Sequence, residues 1–176
     1  DVEAAMQSRL DHLPPREKEL CKVAAVLGRP FDASALVALG IEEPERLLAS
    51  LVKRGVFVIR RAPEPRSSTD ARNEIPSAVA RALEGSGRSE REHQWKSALM
   101  ADVAYAMNAP SRRGELHRRA ATHLASDPSV PPEELARHHE VGGAVEEASA
   151  LYAKGALAAA RRADSVSVRD LSERAL

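Results

Sequence analysis

Six histidines and a single cysteine are the side chains of this 176-residue chain with the widest chemical reach. His138 and His139 are adjacent, and His117 and His123 lie in neighbouring sequence, so each pair raises the question of a bound metal. Adjacent residues on a helix point about 100° apart, and residues six apart also fall on different faces, so neither pair chelates one ion and no metal site is expected. The pattern instead predicts that His117 and one of His138 and His139 sit in helix contacts, hydrogen-bonded to nearby carbonyls. Cys21 lies between Leu20 and Lys22 near an apolar helix stripe, with no glycine-rich nucleophile elbow around it, and reads as a small packed residue. No catalytic residues are expected. The pairs Arg112-Arg113 and Arg118-Arg119 read as solvated faces of alanine-rich helices. Ser67, Ser68 and Thr69 beside Arg66 have the composition of phosphoacceptors, but an unmodified linker is the preferred reading.

Lys plus Arg and Asp plus Glu both number 26, so the formal charge is zero and no global basic patch is available for nucleic acid or an anionic membrane. One cysteine makes neither an internal disulfide nor a cysteine zinc cluster, which favours a reducing, cytoplasmic setting. No apolar run approaches the length of a membrane-spanning helix, and no leader is evident. The chain starts at Asp1 and stops on a helical-looking run ending at Leu176, and is read as a piece of a longer polypeptide.

Thirty-two alanines against five aromatic residues predict helix-on-helix packing built from many modest contacts. Val2 to Leu13 has helical spacing and is stopped by Pro14-Pro15, and a second helix carries Leu20, Val23, Ala24 and Leu27 up to Gly28. Asp32 caps Ala33 to Leu39, and Pro44 opens a helix with Leu47, Leu48, Leu51 and Val52 on one face. Val56 to Arg61 has strand composition, the polar stretch 62–92 is expected to be a mobile loop with room for a short helix at 77–83, and His93 to Lys96 is a return strand. Helices follow over Ala98 to Ala106, Arg112 to Ala125, Pro132 to Gly142 and Val145 to Arg162, and Ser165 or Ser167 caps a last one. The fold class is therefore mainly α. A winged-helix module of three helices plus a small β wing spans 1–106, and an α-solenoid of tetratricopeptide-like helix pairs spans 107–176. Leu47, Leu48, Leu51 and Val52 are expected to hold the first module. Trp95, Leu99, Val103 and Tyr105 are expected to join it to the helical array, and Leu151, Tyr152 and Leu157 to seat the repeats.

Leu13-Pro14-Pro15, the run Ala24 to Asp32 and Leu51-Val52-Lys53-Arg54-Gly55 resemble the winged-helix arm of bacterial STAND-type, AAA/NACHT-like signalling ATPases, which are often fused to adenylate cyclases, Ser/Thr kinases or LuxR-like domains. Trp95 to Tyr105, Arg113 to Arg119 and Glu134 to His139 resemble the segments that follow the wing in that family. Ala148, Tyr152, Gly155 and Ala156, with Ser172 to Leu176, look like the opening of tetratricopeptide-like repeats. The resemblance implies a non-catalytic regulatory arm of a switch protein. Its partners would be an upstream nucleotide-binding domain of the same chain and an unidentified protein or ligand on the repeats. ATP or ADP with Mg would bind upstream, because no Gly-x4-Gly-Lys-[Ser/Thr] stands in this sequence. It also implies a nucleotide contact from Lys96 and Ser97. Where the family can present a histidine to the phosphates, position 97 is serine, which donates a hydrogen bond but supplies no cation. The alternative is a winged-helix transcription regulator gripping DNA through Pro44 to Arg54 and the wing residues Arg60, Arg61 and Arg66. Glu43 and Glu45 at the start of that helix repel phosphate and disfavour it.

Overall fold

The structure, a computed structural model, describes residues 1–28, 30–61 and 91–176. The expected short helix at 77–83, Arg66 and the stretch Ser67 to Thr69 lie outside the described residues. Among those described there are nine helices and one two-stranded sheet. In chain order they are α1 Val2–Asp11, α2 Pro15–Leu27, α3 Ala33–Ala38, α4 Pro44–Lys53, β1 Phe57–Arg61 and β2 Arg91–Trp95. These are followed by α5 Ala98–Ala106, α6 Pro110–Leu124, α7 Pro132–Gly142, α8 Val145–Arg161 and α9 Ser165–Arg174. The mainly helical class expected from the alanine content is what the chain adopts.

Local chemistry accounts for the boundaries. Pro15, Pro44, Pro110 and Pro132 open α2, α4, α6 and α7, where the missing N–H is not needed and φ is already helical. The side chains of Asp1, Asp32, Ser97 and Asp164 accept backbone N–H groups at the starts of α1, α3, α5 and α9. Asp164, rather than Ser165 or Ser167, therefore caps the last helix; its carboxylate takes the Ser167 N–H at 3.1 Å and the Ser167 hydroxyl as well. α2 stops at Gly28, whose φ of +67° is a conformation that side chains with a Cβ resist.

The return strand is corrected from His93–Lys96 to Arg91–Trp95: Arg91 and Glu92, expected in the loop, pair with Arg61 and Arg60, while Phe57 stands opposite Trp95 and Ile59 opposite His93 in an antiparallel ladder. Phe31 adds to the other edge of β2 through two backbone bonds with His93, of 2.9 and 2.6 Å. Three of the five aromatic residues meet here: Phe31 and Phe57 stand edge to face at 5.4 Å, and Phe57 meets Trp95 at 4.7 Å. This aromatic corner rests on a core of Leu20, Leu27, Leu36, Leu48, Leu51 and Met100, all fully buried. The expected face of α4 is correct, with Leu48 and Leu51 at its centre and Leu47 and Val52 at its margin.

α5 packs on α1 and α2, and α6 packs on α2 and α3, so Leu116 and Ala120 of α6 still belong to the first core. From there the chain stacks in series: α7 on α6, α8 on α7 and α9 on α8. A second, smaller cluster forms from Ala136, Ala148, Tyr152, Ala156 and Leu171. The Tyr152 hydroxyl donates to Glu140 at 2.6 Å, and Arg174 covers its ring at 5.6 Å. Two expected contacts are corrected. Leu157 is 56 % exposed and belongs to neither apolar cluster among the described residues, and Leu99 is exposed while Val103 and Tyr105 turn inward. Both helices carry apolar residues on more than one face, so spacing alone did not choose between faces.

Leu51→Ala is predicted to destabilise the chain by about 3 kcal/mol, and Leu157→Ala by no more than about 0.5 kcal/mol. Urea unfolding of the two variants measures this, and equal losses would contradict the placement of the core.

Candidate functional site

Where α5, α6 and α7 converge, three polar side chains form a line through a largely apolar interior. The Tyr105 oxygen is 3.0 Å from His117 Nε2, and His117 Nδ1 is 3.0 Å from His138 Nδ1. Both imidazoles are fully buried. Their rings tilt at 44° with centroids 4.8 Å apart, and Tyr105 stands edge-on to His117 at 83°. Amphipathic spacing delivers them: Leu116, His117, Ala120, Ala121 and Leu124 are the buried face of α6, and Ala136 and His138 belong to that of α7. The small Ala120 and Ala136 leave room for ring-sized neighbours between helices in close contact.

A nitrogen-to-nitrogen contact of this length needs one proton between the two atoms. One arrangement has Tyr105 O–H donating to His117 Nε2 and His117 Nδ1–H donating to His138 Nδ1. The other runs in reverse, with His138 Nδ1–H donating to His117 Nδ1 and His117 Nε2–H donating to the Tyr105 oxygen. A single added proton still leaves every facing pair with a donor and an acceptor, whereas a second sets N–H against N–H. Burial pushes His117 down to about 4, and the nearby Arg137 guanidinium acts in the same direction.

The sequence reading placed His117 and one of His138 and His139 in helix contacts, which is correct, but gave them carbonyl partners; the partners are each other and a tyrosine. His123 and His139 take no part. Among the described residues, no group of three or more His, Cys, Asp or Glu side chains is placed to hold a metal.

Arginines surround this line. Arg113 donates to the carbonyls of Ala106 and Asn108 at 3.0 and 2.9 Å, just past α5, and lies 4.8 Å from the Tyr105 ring centre. Arg118 donates to the Gly142 carbonyl at the end of α7 at 2.9 Å, and Arg119 reaches the Leu39 carbonyl at the end of α3 at 3.5 Å. Arg137 crosses to the end of α2, where its Nη2 is 2.9 Å from the position a Cβ on Gly28 would take. Arg112 pairs with Glu19 of α2. Three guanidiniums, those of Arg113, Arg118 and Arg119, thus meet carbonyls at the ends of α5, α7 and α3, and Arg137 lies against the end of α2, where the peptide dipoles favour positive charge. The pairs read as solvated faces are exposed at their edges but act as struts between elements.

Lys96 and Ser97 lie apart from this line, at the start of α5. Lys96 is exposed, and the Ser97 hydroxyl accepts the Met100 N–H at 3.4 Å. That serine keeps its own proton for donation, so both residues can meet a phosphate arriving from outside, but together they enclose none. On α4, Arg54 is drawn back to the buried Glu17 at 3.0 Å, while Glu43 and Glu45 remain exposed at the other end. No helix among the described residues is long and apolar enough to cross a membrane. Comparison of the chain with protein-family models, curated proteins and solved structures gave no match.

A sign follows for the acid response. The unfolded chain takes up a proton at His117 near pH 6.5, and the folded chain only near pH 4. The contribution is therefore complete above about pH 6.5, declines as pH falls, and is gone below about pH 4, for a total on the order of 3 kcal/mol. His117→Asn is predicted to be less stable at pH 7, with the gap to wild type narrowing toward pH 4; urea midpoints across that range would show a constant gap if the imidazole were not held neutral.

Proposed function

We propose that the chain is a non-catalytic regulatory and protein-interaction segment of a multidomain signalling ATPase. In this reading residues 1–106 are a winged-helix module and 107–176 the opening of a tetratricopeptide-like array, with α6 shared between them. The array receives a protein or ligand, and the first module docks on an upstream nucleotide-binding domain that holds ATP or ADP with Mg. Lys96 and Ser97 would face that nucleotide from the module's rim.

Support comes from one observation above the others. The two apolar clusters are joined by a stiff junction, the Tyr105–His117–His138 line with its arginine struts, so a displacement of α7 and α8 is carried to α2, α3 and α5. Arg119 of α6 reaches the carbonyl at the end of α3 and Arg137 of α7 lies against the end of α2, which is the connection a relay needs. The element order of three helices, a strand and a return strand after α1 supports the winged-helix description, and the serial stacking of α6 to α9 supports the repeat description. A DNA-reading role has less support, because α4 presents glutamates where base contacts are made and Arg54 is committed to Glu17.

The account predicts a Gly-x4-Gly-Lys-[Ser/Thr] motif on a strand-to-helix turn within about 300 residues upstream of Asp1. Sequencing the full reading frame tests it. An initiating Met just before Asp1 would remove the ATPase from the proposal.

A further inference from the structure

α8 is apolar on two sides. Ala148, Tyr152, Ala156 and Ala159 are buried against its neighbours. On the other side Ala150, Ala153, Leu157 and Ala160 are exposed, in a place where a solvent-facing helix ordinarily carries charge. Together with Glu146 these residues recur at steps of four, three, four and three, the spacing of a seam between two helices. Charged residues flank the seam at intervals of seven, Glu147, Lys154 and Arg161, running from acidic at the N-terminal end to basic at the C-terminal end. None of these three forms an ion pair among the described residues.

We propose that this face is the interface of a symmetric dimer, in which α8 packs antiparallel on α8 of a second copy of the chain. A two-fold axis beside Lys154 sets Leu157 of each copy against Ala150 of the other, and Glu147 of each against Arg161 of the other. Glu147 and Arg161 are about 21 Å apart along the helix, so both ion pairs close only in the antiparallel arrangement. A parallel pair would set Glu147 against Glu147 and Arg161 against Arg161. Under reversal the two ends of the face complement each other, Glu147 against Arg161 on both sides of the axis, while the two Lys154 ammonium groups near the axis oppose association and lean out to solvent on flexible stems. Alanine at most seam positions lets the helix axes approach to the near end of the usual 8–10 Å or so, with Leu157 supplying the larger side chain. One helix face on each side buries less than the ~1,200 Å² of standard interfaces, so the dimer is weak and reversible. The interface does not depend on the signalling role proposed above.

Sedimentation velocity of the 176-residue chain across a concentration series from the low micromolar to the millimolar range at low salt tests it. Wild type should pass from monomer to dimer, and Leu157→Asp should remain monomeric. Glu147→Arg or Arg161→Glu alone should weaken association about tenfold, since each is felt twice across the axis, and the combined variant should recover most of it. These side chains are exposed, so unchanged far-UV circular dichroism is expected throughout. A wild-type monomer at every concentration, a dimer indifferent to Leu157→Asp, or a combined variant no better than the singles would each overturn the proposal.

Discussion

Two imidazoles with no access to water sit in a largely apolar interior, and the nitrogens that face each other across α6 and α7 are satisfied through one shared proton. That requirement fixes α7 against α6, because a shift of one residue along either helix would leave two buried ring nitrogens facing hydrocarbon, at a cost of several kcal/mol. Tyr105 then fixes α5 against α6 through the far nitrogen of His117. Three helices are set by one line of protons, and the apolar contacts around it, individually small for alanine, follow from that register.

The same economy governs the charges. Equal numbers of acids and bases give no net field, and the basic residues nearest the junction are spent on the carbonyl ends of helices and not on a surface patch. Arg113, Arg118, Arg119 and Arg137 meet the ends of α5, α7, α3 and α2, and Arg137 also helps keep His117 neutral. A polar junction of this kind is less forgiving than an oily one: it holds one geometry well and tolerates few others. For a segment proposed to pass displacement from one end to the other, that stiffness is the useful property.

Much of the fold is legible in the residues. Four prolines mark helix starts, Gly28 and Gly143 mark helix ends, Asp32 announces its cap, and the lone β-branched and aromatic run finds its return partner at Arg91–Trp95. The site is far less so. His117 and His138 stand 21 residues apart on different helices, and spacing within one helix says nothing about which residues meet across two. Arg113, Arg118 and Arg119 donate to backbone carbonyls, which every residue has and no sequence advertises. On α8 the difficulty is composition: with alanine on both faces, periodicity predicts a helix but leaves open which side Leu157 takes.

The central claim is that the two halves move as one body, and Trp95 offers the most direct test. It is the only tryptophan, lies on β2 against Phe57, and so reports on the first core, whereas far-UV circular dichroism reports on all nine helices described. Urea unfolding followed by both signals should give coincident transitions in the wild-type chain, and transitions that part once His138→Ala removes the junction. Transitions already separate in the wild-type chain would contradict the coupling through His117 and His138.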